Sequence, residues 1–202
     1  MSFLQELFGS PSVEQLEAEQ NVEALILMMK ERLEESCAAI AALGRLADPG
    51  AVEPLLAVLE EDKVRKATII ALRKIGDDRA VASLTGLLTG ERNEIQRTAA
   101  HALGQIGDPR AVSSLTTAVQ EGDIPKDAAK AMAQIGDDAA KHLASLLQSQ
   151  DRGVRWAAAE ALSEVGSPAV APLMDVLRDR DNDALAPAAW ALGETEDERA
   201  VR

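Results

Sequence analysis

A unit of about 30 residues recurs along this chain, and that period constrains the fold more tightly than any other feature. Leucine, or once methionine, closes an alanine-rich stretch at Leu43, Leu72, Leu103, Met132, Leu162 and Leu192, with spacings of 29, 31, 29, 30 and 30. Alanine stands immediately before it each time, at Ala42, Ala71, Ala102, Ala131, Ala161 and Ala191. Three residues after it comes Leu46, Ile75, Ile106, Ile135 or Val165. Next comes Ala47, Gly76, Gly107, Gly136 or Gly166, and then Asp48, Asp77, Asp108, Asp137 or Ser167. A second ladder, Leu25, Leu55, Leu84, Leu115, Leu143 and Leu173, runs in phase with the first.

The spacing within one unit is that of two helices and a tight turn. Val64, Ala67, Thr68, Ala71, Leu72 and Ile75 share one helix face, as do Val154, Ala157, Ala158, Ala161, Leu162 and Val165. This first helix is A. The glycines at 76, 107, 136 and 166 are expected to end it in the left-handed conformation, where the missing Cβ removes the steric penalty. The following Asp or Ser is placed to accept from the free N–H groups of the next helix, with Asp197 at the same position in the last unit. Pro49, Pro109 and Pro168 suit the first helical position, which has no use for an N–H. The second helix, B, buries Val52, Leu55, Leu56 and Leu59. One such pair cannot cover its own apolar faces, whereas a stack of pairs can.

Composition agrees with a thin, alanine-lined core. Hydrophobic residues make up 47% and charged residues 27%, a globular balance, but aromatics only 2%, with no Tyr. A net charge of -13 argues against nucleic acid as a partner, since binding phosphates needs a basic footprint. The single cysteine, Cys37, excludes a disulfide framework and a Cys-based zinc site, and reads as a small residue packed between helices. His101 and His142 fall in different units without metal-ligand spacing, so no metal and no cofactor is expected. Asp48, Asp77, Asp108, Asp137 and Asp197 recur as caps and not as general acids. The longest apolar run, from Cys37 to Leu43, is far short of the roughly 20 residues of a spanning helix. Met1 to Gly9 holds no basic residue, unlike a signal peptide, so the expected location is cytoplasmic, away from membranes.

Residues 22–29 align with 52–59 at an offset of 30, so the array opens on a B-type helix. Residues 1–20 are then an N-terminal capping segment, with an apolar stripe at Phe3, Leu4, Leu7 and Phe8 and a degenerate A helix between Ser12 and Gln20. Residues 21–202 are the array, which ends in an incomplete repeat where a further B helix would begin. The last helix A is therefore expected to be exposed and frayed there, or covered by another molecule, or followed by further sequence, and self-association through this end is one expectation.

The run Ala100-His101-Ala102-Leu103-Gly104-Gln105-Ile106-Gly107-Asp108-Pro109-Arg110-Ala111-Val112 resembles the short HEAT-like repeat, also called the PBS-lyase HEAT-like repeat. The resemblance extends from Asn21 to Arg202. It implies an all-α solenoid: a right-handed superhelix of about five to six antiparallel helix pairs, with the B helices on the concave face. It is specific for fold and poor for function. Some members handle bilin chromophores of phycobiliproteins, which makes a bilin-lyase-like activity the alternative function. Other relatives are di-iron hydroxylases with His-Glu pairs, and this chain contains no His-Glu dipeptide.

The main expectation is a non-catalytic scaffold that binds a protein or peptide on the concave face or at the C-terminal end. On a helical wheel, positions two and five after the repeat valine lie farthest from the buried stripe. They hold Pro54 and Ala57, Ser83 and Gly86, Ser114 and Thr117, His142 and Ser145, Pro172 and Asp175, which are small and largely neutral. Such a groove admits a peptide closely and offers no ring of charge to phosphates. Trp156 and Trp190 lie off the buried ladder of their A helices, in successive units that should bring them together, and Trp is enriched at interface hot spots. The candidate partner-binding residues are therefore Ser83, Gly86, Ser114, Thr117, His142, Ser145, Asp175, Trp156 and Trp190. Charge is uneven, with eight acidic and two basic residues in 1–36 but nine basic and five acidic in 63–110, and this reads mainly as a solvated outer face.

Overall fold

The computed structural model describes residues 11–31, 35–90, 92–179, 182–195 and 197. Among them lie thirteen α-helices and no strand. They are α1 (Val13–Ala18), α2 (Val22–Glu31), α3 (Ser36–Leu46), α4 (Val52–Ala57), α5 (Arg65–Ile75), α6 (Val81–Gly86) and α7 (Asn93–Ile106). The chain continues through α8 (Val112–Glu121), α9 (Pro125–Ile135), α10 (Asp137–Leu146), α11 (Arg152–Val165), α12 (Val170–Arg178) and α13 (Asn182–Glu194). Phe3, Leu4, Leu7 and Phe8 lie outside the described residues.

Two compact units divide the chain, Met1–Ser83 and Leu84–Arg202. In the first, the A helices α3 and α5 pack together, α2 packs on α3, α4 packs on α5, and the short α1 lies against α2 and α3. In the second, the A helices α7, α9, α11 and α13 pack in series, while the B helix α10 touches both α8 and α12 in a second layer. This two-layer stacking of helix pairs is an all-α solenoid.

The layers meet on the two ladders. Leu25, Leu55, Leu84, Leu115, Leu143 and Leu173 are all fully buried, and the closing residues Leu43, Leu72, Leu103, Met132 and Leu162 nearly so. Burying such a side chain contributes about 1.5–3 kcal/mol, so the ladders supply much of the drive to stack. Alanines at 71, 99, 102, 128, 131, 158 and 161 fill the space between A helices. Glycine brings the backbones closer still. A Cβ on Gly44 would stand 2.8 Å from the Ala71 Cα, and one on Gly104 would stand 2.8 Å from the Ala131 Cα.

The turn between A and B is built in two ways. Asp48, Asp77 and Asp108 accept from the backbone N–H two residues on, at 2.7, 3.0 and 2.8 Å, and open a single 3₁₀ turn ahead of the B helix. Before them Ala47, Gly76 and Gly107 are left-handed, as the repeat pattern requires. Two of the expected left-handed caps differ. Gly136 and Gly166 keep a positive φ (86° and 75°) but swing ψ to -130° and -135°. The aspartate cap goes with them: Asp137 already lies in the first turn of α10, with no side-chain cap. The Ser167 hydroxyl donates instead to Asp197 Oδ2 at 2.7 Å, so Asp197 receives a hydroxyl from the preceding turn. A different exit direction from the A helix turns the following side chain away from the N–H groups it would have capped.

Cys37 also departs from expectation, because it is exposed, its Sγ 3.7 Å from the Lys63 carbonyl oxygen. Since α3 begins at Ser36, its buried face runs through Ser36, Ala39, Ile40 and Leu43, and residue 37 falls off it. Ser36 is the buried residue, and its hydroxyl donates to the Met29 carbonyl at 2.8 Å.

Position 36 belongs to a recurring device. Seven residues before the closing residue, at Ser36, Arg65, Gln96 and Arg155 but not at Pro125 or Leu185, a polar side chain near the start of helix A reaches back to carbonyls at or just beyond the end of the preceding B helix. Arg65 donates to the Leu59 and Glu60 carbonyls, and Arg155 donates to those of Ser149 (2.8 Å) and Gln150 (3.0 Å). Terminal carbonyls have no partner inside their own helix, so a guanidinium with five donors suits the place.

Candidate functional site

Surface features of the second unit occupy both of its layers. On the B layer, a groove of about 320 Å³ opens between α10 and α12. Ala144, Ala171, Pro172 and Val176 give it apolar walls, and Ser145, Gln148, Lys141, Asp175 and Asp179 ring it. Two candidate residues, Ser145 and Asp175, therefore share one groove. The Ser145 hydroxyl donates to the His142 carbonyl at 2.7 Å, which leaves its lone pairs outward. Asp175 holds Arg178 at 2.8 Å on the same helix, and both side chains are exposed. Such a pair contributes little to stability and exchanges readily with an outside charge.

The remaining B-helix candidates are scattered. Thr117 is exposed beside a second cleft near the end of α8. Ser83 and Gly86 are exposed on α6, Ser114 is half-buried on α8, and His142 is exposed on α10; none of the four lines either cleft. The wheel identified the outward positions. Of the charges around the 320 Å³ groove it found Asp175 but not Lys141 and Asp179, which stand one and four residues away from the wheel positions His142 and Asp175.

On the A layer the structure brings Trp156 and Trp190 together. Their ring centroids are 5.8 Å apart and the planes tilted by 60°, a geometry favoured by aromatic quadrupoles. Trp156 sits on α11 and Trp190 on α13, each more than a third exposed, at 36% and 39%. Next along this layer, the furrow between α9 and α11 is lined by Lys126, Asp127, Lys130, Glu160 and Glu164. Arg97 lies 3.5 Å from Asp127 and Lys130 lies 4.0 Å from Glu164, so ion pairs bridge neighbouring A helices.

The strongest titration effects belong to the turns. Hydrogen bonds from the Arg79 guanidinium, and then from its backbone N–H, hold the Asp77 carboxyl at about 2. Arg110 lowers Asp108 in the same way. Arg79 also donates to the Pro49 carbonyl at 2.7 Å, tying one turn to the turn before it. These groups brace the repeat. Among the described residues no cluster of three His, Cys, Asp or Glu side chains is arranged to hold a metal, and His101 and His142 lie exposed on different helices. No helix among those residues is long and apolar enough to cross a membrane.

With the repeat geometry in place, comparison with known proteins decides the family. The HEAT-repeat model matches residues 22–95, 60–126 and 120–193, most of the chain. The chain belongs to the HEAT-repeat family. No curated protein sequence matches this HEAT-repeat chain. Among solved structures, it is 25% identical to an engineered protein from the Northeast Structural Genomics Consortium, with a TM-score of 0.53. That match covers 92% of this chain but 60% of the engineered one. The complex of CpcE and CpcF of phycocyanin lyase from Nostoc sp. PCC7120 is matched at 23% identity, over 92% of this chain and 76% of that one, with a TM-score of 0.53. A designed armadillo repeat protein is matched at 17% identity, over 87% of this chain and all of that one, with a TM-score of 0.50. The last two are likenesses of fold: stacked helix pairs buried on each other.

Proposed function

We propose that this HEAT-repeat protein is a non-catalytic scaffold that binds another protein or a peptide through its second unit. The observation that carries the reading is the pair of tryptophans left exposed and in contact on α11 and α13. Large aromatics cover apolar area at low entropic cost and dominate interface energetics. Two of them side by side have the make-up of an apolar anchor. The groove between the B helices α10 and α12 is a second contact surface, where Ser145 and Asp175 meet a peptide. Among solved neighbours of comparable fold, one is a designed armadillo protein for modular peptide recognition and another is a complex between two chains.

The test is crosslinking and pull-down with the full chain in its native host, alongside a Trp156→Ala, Trp190→Ala double variant. The wild type should recover one protein in fixed stoichiometry, and the double variant should lose it while its unfolding temperature shows that it still folds. Equal recovery by both would overturn the role of the pair. A self-associating chain would show a mass in light scattering that rises with concentration in the wild type only. The phycocyanin lyase neighbour motivates the bilin-handling alternative. A tetrapyrrole carries propionate groups that call for Arg or Tyr, whereas Lys141 is the one cation among the described residues that line the 320 Å³ groove, and the chain has no Tyr. A shifted visible absorption spectrum on mixing with bilin would reverse the ranking.

A further inference from the structure

Within each unit, an A helix presents one flank to the A helix that follows it. The residues of that flank stand six, three and two before the closing leucine and one after it, a spacing that puts them on one helix face. Three before it, Ile40, Ala100, Ala129 and Ala159 are all fully buried. One after it, Gly44 and Gly104 let the next helix come so near that a Cβ would stand 2.8 Å from the Cα of Ala71 or of Ala131. Six and two before it, the flank meets side chains of the next helix. Arg97 lies 3.5 Å from Asp127, Lys130 lies 4.0 Å from Glu164, and Trp156 meets Trp190.

On α13 the same flank is Ala186, Ala189, Trp190 and Gly193, and all four are exposed. The helix packs on α11 and α12. A Cβ on Gly193 would meet nothing within 4 Å among the described residues. This flank therefore continues the seam that joins the A helices, and the chain itself shows what such a flank holds: a second α-helix laid alongside, with a small residue at the glycine. Charge decides which helix fits. Asp127 and Glu164 stand four residues before and three after the repeat alanines Ala131 and Ala161, and they face the basic side chains of Arg97 and Lys130. The places of Arg97 and Lys130 are taken on α13 by Ala186 and Trp190, and the ionisable side chains of that helix are two exposed carboxylates, Asp183 and Glu194. An incoming helix must carry the opposite sign there. A cation three residues past the small one lies over Trp190, and the face of an indole attracts it. A second copy of the chain fits poorly, since its own α13 would set Asp183 and Glu194 against the same carboxylates.

We infer that the exposed flank of α13 docks a basic amphipathic helix of a partner protein. That helix lays an alanine, glycine or serine against Gly193 and carries lysine or arginine four residues before it and three after it. The inference rests on the scaffold reading of the tryptophan pair and names the partner's chemistry. Because the charges meet at an exposed edge, binding weakens as salt screens them.

The experiment titrates the ¹⁵N-labelled full chain with a stapled helical peptide of about 15 residues, stapled because a free helix of that length is marginal in water. The peptide carries lysine, alanine and arginine at the stated spacing on one face. One control peptide has glutamate in place of both cations, and another has leucine in place of the alanine. The basic peptide should give saturable shifts centred on the Ala189 and Gly193 amides and the Trp190 indole N–H. The response should be at least tenfold weaker with the glutamate peptide and several-fold weaker with the leucine peptide. Gly193→Leu should abolish it at an unchanged unfolding temperature, and Glu194→Gln should weaken it several-fold and flatten its salt dependence. No saturable shift, an equal response to the glutamate peptide, or an unchanged response in Gly193→Leu would each overturn the inference. So would a light-scattering mass that rises with concentration in the wild type and not in Gly193→Leu, which would put a second copy on the flank. A host protein recovered equally by the wild type and Gly193→Leu, and lost by the tryptophan double variant, would sink the docked helix and leave the scaffold reading standing. Saturable binding of the basic peptide, with host protein recovered equally by the double variant, would do the reverse.

Discussion

Ala47 is the residue that sits worst in its own repeat. It occupies the left-handed position that Gly76 and Gly107 fill elsewhere, with φ 53°. A residue with a Cβ there carries about 1–2 kcal/mol of strain, while glycine gives back part of the gain through a freer unfolded chain. Ala47→Gly is therefore expected to stabilise by about 0.5–1 kcal/mol, read as a raised midpoint in urea; a lowered midpoint would show that the turn relaxes around alanine. At Gly166, with φ 75° and ψ -135°, only glycine is at ease. Gly166→Ala should cost about 1–3 kcal/mol, at least as much as Gly107→Ala. Asp77 makes the prediction for pH. Its folded pKa, about 2, lies below the ordinary 3.8, so the turn's contribution is present above about pH 4 and is lost as pH falls from there toward 2. Asp77→Asn should flatten the acid limb of the unfolding-temperature profile over that window and leave its neutral limb near its wild-type slope.

Between elements, the decisive distance is the one between A helices. Gly104 lets α7 approach α9 until a Cβ would lie 2.8 Å from the backbone of Ala131. Gly104→Ala should therefore destabilise despite alanine's better helix propensity, by about 1–3 kcal/mol as overpacking usually does. A stabilised variant would show that the two helices slide apart freely. Both ladders, the A–B alternation and the alanine seam were legible in the sequence, because a helix face repeats every three or four residues wherever it is packed. The side chain that reaches out of its own helix was not. Ser36, Arg65, Gln96 and Arg155 share a repeat position, yet their common task of meeting carbonyls five to seven residues back appears only once the B helix has ended beside them.

The whole chain carries a net charge of -13 on a fold built of thin layers. Like charges oppose compaction and are screened beyond about 10 Å at 0.1 M salt. The unfolding temperature should rise between about 10 mM and 150 mM sodium chloride, the interval over which the screening length shortens from about 30 to 8 Å; a fall would mean that ion pairs such as Arg97–Asp127 outweigh the repulsion. The sequence by itself determined the stack, since a period of about 30 with two apolar ladders leaves each helix pair nowhere to bury itself except on the next. It also marked the outward tryptophans, because their places in the period fall off the buried face. Tertiary structure alone decided what those surfaces became. It set the 5.8 Å contact of the two rings, the charged ring around the groove between α10 and α12, and the unsatisfied oxygen of Gln96. Each of these joins side chains from different helices, and the distance between helices depends on the volumes packed between them, which no spacing along one strand of sequence records.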